Sequence, residues 1–284
     1  MTDELSTDLP AFDLLDLEPV DGATTYRMPA STRLCTPFGF LYGGSGIAAS
    51  AEASERATGR PLQWITTQFL GSPSPGDVID LHVNVAVTGR ASSQTQVSGT
   101  VDGALMFTSL SAHNVRPAGD ETAFSTMPDV PAPLDCPDFA EPFHVDPPDS
   151  FFSTLERRVA AGTIRFDTPL GDGDVQPGLI AMWCRLVDSD IGSAATQAYV
   201  ADLGPLAVCA RLGRPLGGTS LDNTLRIVDP TPTDWVLLEL DADGLHRSVG
   251  HSTVKIWSQD GRPLGIAQQS AILRTSHHQP PANA

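Results

Sequence analysis

The sequence contains one arrangement of segments twice, and this repeat constrains the fold more than any other feature. In each half, a run of small residues typical of a helix precedes about four segments typical of strands. The final hairpins match best, because residues 97–103 end in Asp102-Gly103 and residues 254–261 end in Asp260-Gly261. Asp-Gly pairs favour tight turns between antiparallel strands. Two unrelated α+β pieces with common turns are the alternative, and we favour the internal repeat.

The first half reads as one helix followed by four strands. The glycine-rich residues 43–46 open into small residues that run to Thr58 and stop at Gly59, which predicts a helix. Strict alternation of apolar residues from Leu81 to Val87 predicts a strand with one buried face. Strands are predicted at residues 62–70, 78–88, 92–101 and 105–113, and a short one at residues 24–28.

The second half repeats this order after a segment of different character. Residues 116–150 are rich in proline and acids without periodicity, which predicts a linker. A second small-residue helix is predicted at residues 193–203, and turns are predicted at Asp243-Gly244 and Asp260-Gly261. Strands are predicted at residues 179–187, 219–228, 235–240, 246–258 and 265–274. The expected division is a flexible leader at 1–22, a first unit at 23–115, a linker and surface segment at 116–176, a second unit at 177–275 and a flexible tail at 276–284.

A curved sheet explains how four strands can cover one helix. A twisted antiparallel sheet has a concave face, and a helix with small side chains can pack closely inside it. Two such units can continue or pack their sheets side by side. The element order therefore predicts an α+β fold of two tandem hotdog units, each a curved antiparallel sheet wrapped around a central helix.

Charge and cysteine usage narrow the classes of partner. The 284 residues include 17 Lys+Arg and 34 Asp+Glu, for a net charge of −17, which argues against non-specific binding to nucleic acid or anionic lipid. No apolar run is long enough for a membrane span, and the start at residues 1–4 is acidic, unlike a signal peptide. The four cysteines are scattered and lack metal-ligand spacing, so we expect buried thiols in the cytoplasm and no metal.

The strand predicted at residues 220–230 carries unusual polar residues. Ser220, Asp222, Asn223 and Thr224 supply two hydroxyls, a carboxylate and an amide within five positions. Simple alternation places Ser220, Asp222 and Thr224 on one side of the strand. An edge strand facing water and the wall of an active site both fit this pattern.

Several short motifs, taken in order, are similar to those of the acyl-CoA thioesterase II family, whose members have two tandem hotdog units. The resemblance covers roughly residues 24–115 and 177–275 and is stronger in the second half. The matching pieces are Tyr42-Gly43-Gly44, Gln68-Phe69-Leu70 with Gly76, Val87-Thr88-Gly89-Arg90, Ala201-Asp202-Leu203, Ser220-Leu221-Asp222, Pro230 with Asp234-Trp235, and residues 260–264 with Gln269 and Arg274.

The resemblance implies hydrolysis of acyl-CoA thioesters in fatty acid metabolism, with acyl-CoA as partner and no cofactor. It implies that Asp202, Ser220 and Gln269 activate a water molecule, with Asp202 as the general base. Ser220 and Gln269 would hold that water by hydrogen bonds. Backbone N–H groups of Gly43 and Gly44 at a helix start would stabilise the oxyanion.

This sequence departs from the family pattern around the implied site. Ser220 stands where the family has threonine, Thr66 where it often has histidine, and Ser45 where it commonly has glutamine. The family's Asp-His-Ser reads Asp222-Asn223-Thr224 here. The hydroxyl of the implied trio is therefore kept, while its surroundings differ. Asp222 is interpreted as structural, with its carboxylate bonded to nearby backbone or to the turn before Trp235.

Other reaction classes lack their motifs. Residues 43–46 are not followed by the Gly-Lys-Ser/Thr of a phosphate loop, no Gly-x-Ser-x-Gly elbow occurs, and neither predicted helix contains the histidine of a hotdog dehydratase. A weakly active or inactive hotdog protein that binds acyl-CoA, or serves as an assembly scaffold, remains the alternative to a thioesterase. Pairing into a homo-oligomer is left open, since sheet faces and edges are exposed.

Overall fold

The computed structural model describes residues 9–116, 119, 122–139, 149–164, 176–213 and 215–275. The tail predicted at residues 276–284 and the first eight residues of the leader lie outside the described residues. The elements of the first half are β1 (Glu18–Asp21), β2 (Thr25–Pro29), α1 (Gly43–Thr58), β3 (Leu62–Phe69), β4 (Val78–Thr88), β5 (Ser92–Val101) and β6 (Ala104–Asn114). Those of the second half are β7 (Leu155–Ala161), β8 (Ala181–Leu186), α2 (Ala194–Ala201), α3 (Pro205–Leu212), β9 (Leu216–Ile227), β10 (Val236–His246), β11 (Val249–Ser258) and β12 (Pro263–Thr275).

One sheet of twelve strands runs through both halves in the order β1-β2-β4-β5-β6-β3-β9-β12-β11-β10-β8-β7. The order of the second half mirrors that of the first, and the two halves join where β3 pairs antiparallel with β9. The internal repeat and the tandem hotdog architecture are therefore confirmed.

The two central helices pack side by side under this sheet, as their small residues predict. From Gly44 to Glu55, every residue of α1 is buried, and every residue of α2 is buried as well. Tyr42, directly before α1, donates from its hydroxyl to the backbone oxygen of Tyr199 on α2 at 2.9 Å. Close contact between α1 and α2 brings the start of the first helix to the end of the second, which is the contact that builds the site described below.

Two edge strands, β1 and β7, occupy equivalent places in the two halves, and both were missed as strands. β1 lies in the segment predicted as a leader, is exposed throughout and contains Pro19, so it lacks the alternation of a strand. β7 lies in the segment predicted as a linker, where the charged run Glu156-Arg157-Arg158 hides its pairing with β8. We propose that each unit includes its edge strand, so that the second unit begins near Leu155 and not at residue 177.

The expectation of a loosely held leader is wrong for its described part. Phe12 and Leu15 are buried, and the ring of Phe12 meets that of Tyr199 edge-on with centroids 5.3 Å apart. The N–H of Phe12 donates to a carboxylate oxygen of Glu52 on α1 at 2.9 Å. The segment is held because it covers apolar surface of α2 while bonding to α1.

The helix predicted at residues 193–203 is α2, which already ends at Ala201, and another helix follows it. A proline in the first turn can start a helix without losing a needed N–H, and α3 begins at Pro205. The turn predicted at Asp243-Gly244 is a bulge within β10, and the chain reverses at Arg247 and Ser248, which both have positive φ.

Two further properties concern the described residues. All four cysteines are buried free thiols, as predicted. No helix within the described ranges is long and apolar enough to cross a membrane.

Candidate active site

Asp202 caps the C-terminal end of α2, and its carboxylate reaches the N-terminal end of α1. A carboxylate is disfavoured at the C-terminus of a helix and favoured at an N-terminus, where free N–H groups point outward. The N–H of Gly44 donates to Asp202 Oδ2 at 2.8 Å. The side chain of one half is therefore stabilised by the helix of the other half.

Two side-chain amides complete the environment of this carboxylate. Nδ2 of Asn223 on β9 donates to Asp202 Oδ1 at 3.0 Å, and Nε2 of Gln269 on β12 donates to the same oxygen at 2.6 Å. Asp202 itself is only 5% exposed. The carboxylate is thus held by three donors from three elements, and Oδ2 carries only one of these bonds.

Burial raises the pKa of Asp202 to about 7, against the lowering effect of the hydrogen bonds from Asn223, Gly44 and Gln269. Loss of hydration disfavours the charged form, and here it outweighs the donors. A carboxyl group with a pKa near 7 can take up a proton and release it again at neutral pH, which is the property required of a general base.

Gln269 links Asp202 to Ser220. Its Nε2 donates to Asp202 Oδ1 and also to Ser220 Oγ at 2.7 Å, which uses both amide hydrogens. The neighbouring Gln268 is exposed, so the alternation of β12 selects Gln269 for the interior. The structure therefore brings together the three side chains that the resemblance implied, with Gln269 in contact with the other two and not left free to hold a water.

A bulge in β9 decides which polar residues of this strand face the site. Ser220 pairs with Ala271 and Asp222 with Ser270, so Leu221 is the extra residue between them. After a bulge the side-chain alternation shifts by one position. Asn223 therefore joins Ser220 on the inner face, whereas Asp222 turns outward and accepts a hydrogen bond from the N–H of Ser270 at 3.0 Å.

The simple alternation predicted for this strand is wrong, and it hid Asn223 as a site residue. The signal available in the sequence was its place in the family's Asp-His-Ser, where the middle residue differs. The structural interpretation of Asp222 is confirmed by its backbone hydrogen bond.

Gly43 and Gly44 are required by close approach. A Cβ at Gly43 would lie 2.7 Å from Asp202 Oδ2, and a Cβ at Gly44 would lie 2.3 Å from the ring of Tyr42 and 2.5 Å from the backbone oxygen of Tyr199. The N–H of Gly44 was expected to stabilise an oxyanion, but in this structure it binds Asp202. Gly43 lines the cavity next to Asp202 Oδ2. Because it has no side chain, the space beside this oxygen stays open.

Two departures from the family pattern lie away from Asp202. Thr66 points to the outer face of the sheet, because its neighbours Ile65 and Thr67 are the buried ones, and its hydroxyl lies 2.7 Å from that of Thr224 across the β3–β9 pairing. Ser45 is buried, and its hydroxyl donates to the backbone oxygen of Leu34 at 2.9 Å. Neither contacts the carboxylate of Asp202 in the structure.

A cavity of about 190 Å³ opens beside these side chains and is lined mainly by apolar groups. Gly43, Asp202 and Ser220 contribute to its lining. Seven aromatic residues also line it. Phe38 is exposed, and the other six are here called the aromatic wall: Phe40, Tyr42, Phe69, Phe139, Phe151 and Phe152. The first turn of α3 contributes Pro205 and Leu206. An apolar cavity with a few convergent polar groups is the usual form of a small-molecule site.

The corresponding position in the first half lacks the carboxylate and the amides. A matching bulge at Gln63 in β3 aligns Leu62 with Ser220 and Ile65 with Asn223. The same register aligns Ser111 with Gln269. Counted from the start of each helix, Ala51 corresponds to Asp202. Among the described residues, the repeat therefore contains one candidate site and one counterpart in which only a serine is polar.

No cluster of three His, Cys, Asp or Glu side chains that could hold a metal ion occurs among the described residues. The site consists of one carboxylate, two amides and one hydroxyl at an apolar cavity. This set can orient and deprotonate a small nucleophile with the chain's own residues.

Residues 131–273 match the family model of the acyl-CoA thioesterase C-terminal domain, which covers just over half of the 284-residue chain. The chain belongs to the acyl-CoA thioesterase II family. The matched span begins before β7, which supports our assignment of that strand to the second unit. A search of curated proteins found no match to this chain.

Solved structures show that this chain has the hotdog fold. A protein of Novosphingobium aromaticivorans described as a thioesterase is 29% identical, with a TM-score of 0.82 over 93% of this chain and 100% of that one. A hotdog-fold protein of Alicyclobacillus acidocaldarius is 20% identical, with a TM-score of 0.78 over 91% and 96%. The acyl-CoA thioesterase II TesB2 of Mycobacterium marinum is 18% identical, with a TM-score of 0.70 over 94% and 98%. The last two likenesses concern the fold.

Proposed function

We propose that this chain hydrolyses acyl-CoA to a free acid and CoA, using a water molecule activated by Asp202. The observation that carries the proposal is the carboxylate itself. It is buried, it has a pKa of about 7, and it lies in the lining of the apolar cavity. Membership of the acyl-CoA thioesterase II family supports the same reaction class.

Hydrolysis of a thioester depends mainly on activating a nucleophile, because the thiolate leaves readily and needs little help from an acid. Asp202 takes a proton from water through Oδ2, and the water oxygen attacks the thioester carbonyl carbon. The tetrahedral intermediate then breaks its carbon–sulfur bond, and CoA leaves as a thiolate. The proton held by Asp202 passes to solvent or to the thiolate, which restores the carboxylate. The Gly43 N–H at the start of α1 is the donor we assign to the carbonyl oxygen.

Ser220 and Gln269 have different roles in this proposal. Because both amide hydrogens of Gln269 are used on Asp202 and Ser220, Gln269 fixes the geometry of the two groups and does not touch the water. Ser220 accepts one of these bonds, so its own hydroxyl hydrogen can be donated to the water oxygen. The attacking water is then held between Asp202 Oδ2 and Ser220 Oγ.

The test is release of the free thiol of CoA from acyl-CoA substrates by the purified chain. Release above the rate without enzyme, on at least one acyl group, supports the proposal. If no acyl group is hydrolysed while acyl-CoA still binds, the chain is an inactive hotdog protein that binds acyl-CoA or serves as a scaffold.

The pH dependence follows from the pKa of Asp202. We expect kcat/KM to fall about tenfold per pH unit below pH 7 and to level off above it, because only the deprotonated carboxylate accepts a proton from water. Thiol release between pH 5 and 9, with substrate below its KM, measures this profile. A profile that is flat through pH 7 contradicts the assignment of the base.

Asn223 is expected to act as a positioning residue through Asp202. Its hydrogen bond lowers the pKa of that carboxyl, so Asn223→Leu should raise the apparent pKa of the kcat/KM profile. We expect about a tenfold loss at pH 7 that is partly recovered at pH 9. Thr224→Val, on the outward-facing neighbour, serves as the control and should leave the profile in place. If the pH profile of kcat/KM is unshifted in Asn223→Leu, Asn223 contributes only to packing and does not position Asp202.

A further inference from the structure

We infer that the acyl group this site takes is compact and aromatic, of the size of an arylacetyl group, and that long straight chains are poor substrates. This inference rests on the proposed function and names its substrate class. It is carried by the volume of the cavity, by the aromatic wall and by the contacts that hold that wall in place.

The size of the cavity sets the first limit. An apolar cavity of about 150 Å³ binds one benzene ring, so a cavity of about 190 Å³ has room for a six-membered ring and one or two further carbons. The thioester carbonyl must lie at Asp202 and Ser220, which are part of the same lining. The space beside these two residues is therefore enough for a ring, and the rest of the cavity opens towards solvent.

The chemistry of the lining favours an aromatic occupant. The rings of Tyr42 and Phe151 stack in parallel with centroids 3.9 Å apart, and the ring of Phe152 follows at 4.4 Å with a 45° tilt. An added ring can continue such a series by offset stacking or edge-to-face contact, which an aliphatic chain of equal area cannot reproduce.

Fixed contacts keep this wall from widening. The Tyr42 hydroxyl is bonded to Tyr199, and the N–H of Phe151 donates to the backbone oxygen of Cys35 at 2.9 Å. The guanidinium of Arg157 lies over the ring of Phe152 at 4.7 Å and over that of Phe139 at 5.4 Å. Aromatic side chains have few torsions, and the described residues that line the cavity include no methionine that could adapt to a longer group.

An acyl group longer than a ring therefore buries little additional apolar surface in the cavity. Part of the lining is exposed, with Phe38 45% exposed and Gly218 and Thr219 also at the surface. We assign the CoA moiety to this exposed side. Carbons that do not fit beside the aromatic wall must extend towards water, where they add no burial of apolar surface.

The experiment compares kcat/KM for thiol release from acetyl-, octanoyl-, phenylacetyl-, cyclohexylacetyl- and dodecanoyl-CoA. Phenylacetyl, octanoyl and cyclohexylacetyl groups have the same number of carbons, so they separate shape and aromaticity from size. We expect phenylacetyl-CoA to exceed dodecanoyl-CoA by at least about tenfold, and octanoyl- and cyclohexylacetyl-CoA by about threefold or more.

Three other outcomes would each contradict a specific part of the inference or of the proposed function. A kcat/KM that rises from octanoyl- to dodecanoyl-CoA overturns the compact substrate while leaving the thioesterase proposal intact. Equal values for phenylacetyl- and cyclohexylacetyl-CoA overturn the aromatic preference. Thiol release from none of the five overturns both the proposed function and this inference.

Variants of α3 test the cavity directly. Leu206→Ala widens the lining, so the ratio of dodecanoyl to phenylacetyl activity should rise, and Leu206→Phe should lower phenylacetyl activity more than acetyl activity. The matched control is Leu212→Ala, the same exchange on the same helix at a partly buried leucine outside the cavity lining. A change in Leu206→Ala that is equal for all five substrates contradicts the inference, and the parent panel decides it if the variants do not fold.

Discussion

Asp202→Asn is expected to lower kcat/KM for thiol release by about 10²–10⁴-fold at pH 8, the usual contribution of a general base. Asparagine has the shape of aspartate but cannot take a proton from water. Its amide nitrogen would also face a donor, since Gly44, Asn223 and Gln269 all donate to this side chain. The loss should appear mainly in kcat, because the residue is assigned to the chemical step.

Asp222→Asn is the matched control for this variant. Asp222 lies on β9 close to the site in sequence, but its carboxylate faces outward and accepts from the backbone of Ser270. Its exchange should leave kcat/KM within about twofold of the parent. Equal rates of thiol release in Asp202→Asn and the parent would mean that the base is another group.

The stability of the same variant gives an independent check with a defined sign. The folded pKa of Asp202 is raised above its unfolded value, so its contribution to stability is present below about pH 4 and is lost as pH rises through about 7. Asparagine does not titrate. The free energy of unfolding of Asp202→Asn, relative to the parent, should therefore rise between pH 5 and 8 by at most on the order of 3 kcal/mol, because about two pH units below the folded pKa lie in this range. Chemical denaturation at the two pH values measures it.

Gly43→Ala is expected to lower kcat/KM by about 100-fold while the protein stays folded. The added methyl group would lie 2.7 Å from Asp202 Oδ2. Because three hydrogen bonds hold that carboxylate, it cannot move away without losing a donor, and a displacement of about 1 Å can cost such a factor. Alanine is the better helix former by up to about 1 kcal/mol, which offsets part of the crowding in the folded state.

Gly44→Ala provides the contrast at the next position. Its Cβ would meet the ring of Tyr42 and the backbone oxygen of Tyr199, so the helices α1 and α2 would have to separate. We expect a loss of about 1–3 kcal/mol in stability, or roughly 5 °C in Tm for a chain of this size. Thiol release and thermal melts of both variants test the pair. If Gly43→Ala releases thiol as fast as the parent, the space beside Asp202 Oδ2 is not needed for the reaction.

The fold was largely predictable because the repeat is visible in strongly periodic strands. The bounds of β4 and β5 agree with the predicted ones, and the helix α1 begins at its glycines. The edge strands were not predictable in the same way. Edge strands bury little apolar surface, so β1 and β7 carry no alternation that periodicity could detect. α3 was missed because Gly204-Pro205 can end one helix and begin another.

The candidate site was predictable where the resemblance to the family supplied matching residues. Asp202, Ser220 and Gln269 were implied by that resemblance, and the structure brings the three together. Asn223 was missed because the bulge at Leu221 reverses the facing of the residues after it. A bulge changes register without a reliable sequence signal, since it depends on how β9 fits its neighbour.

The division of the site between the two halves has a consequence for how such a chain can be taken apart. Gly43 and Gly44 belong to the first half, and Asp202 belongs to the second, joined through the hydrogen bond between α1 and the carboxylate. A symmetric pair made of two second halves would present Ala194 and Ala195 where the glycines lie, and a pair of first halves would present Ala51 in place of the aspartate. Neither half by itself therefore supplies all the residues of the candidate site. The covalent link keeps the two unlike halves in equal number, so that the described part of each chain can form the whole candidate site once.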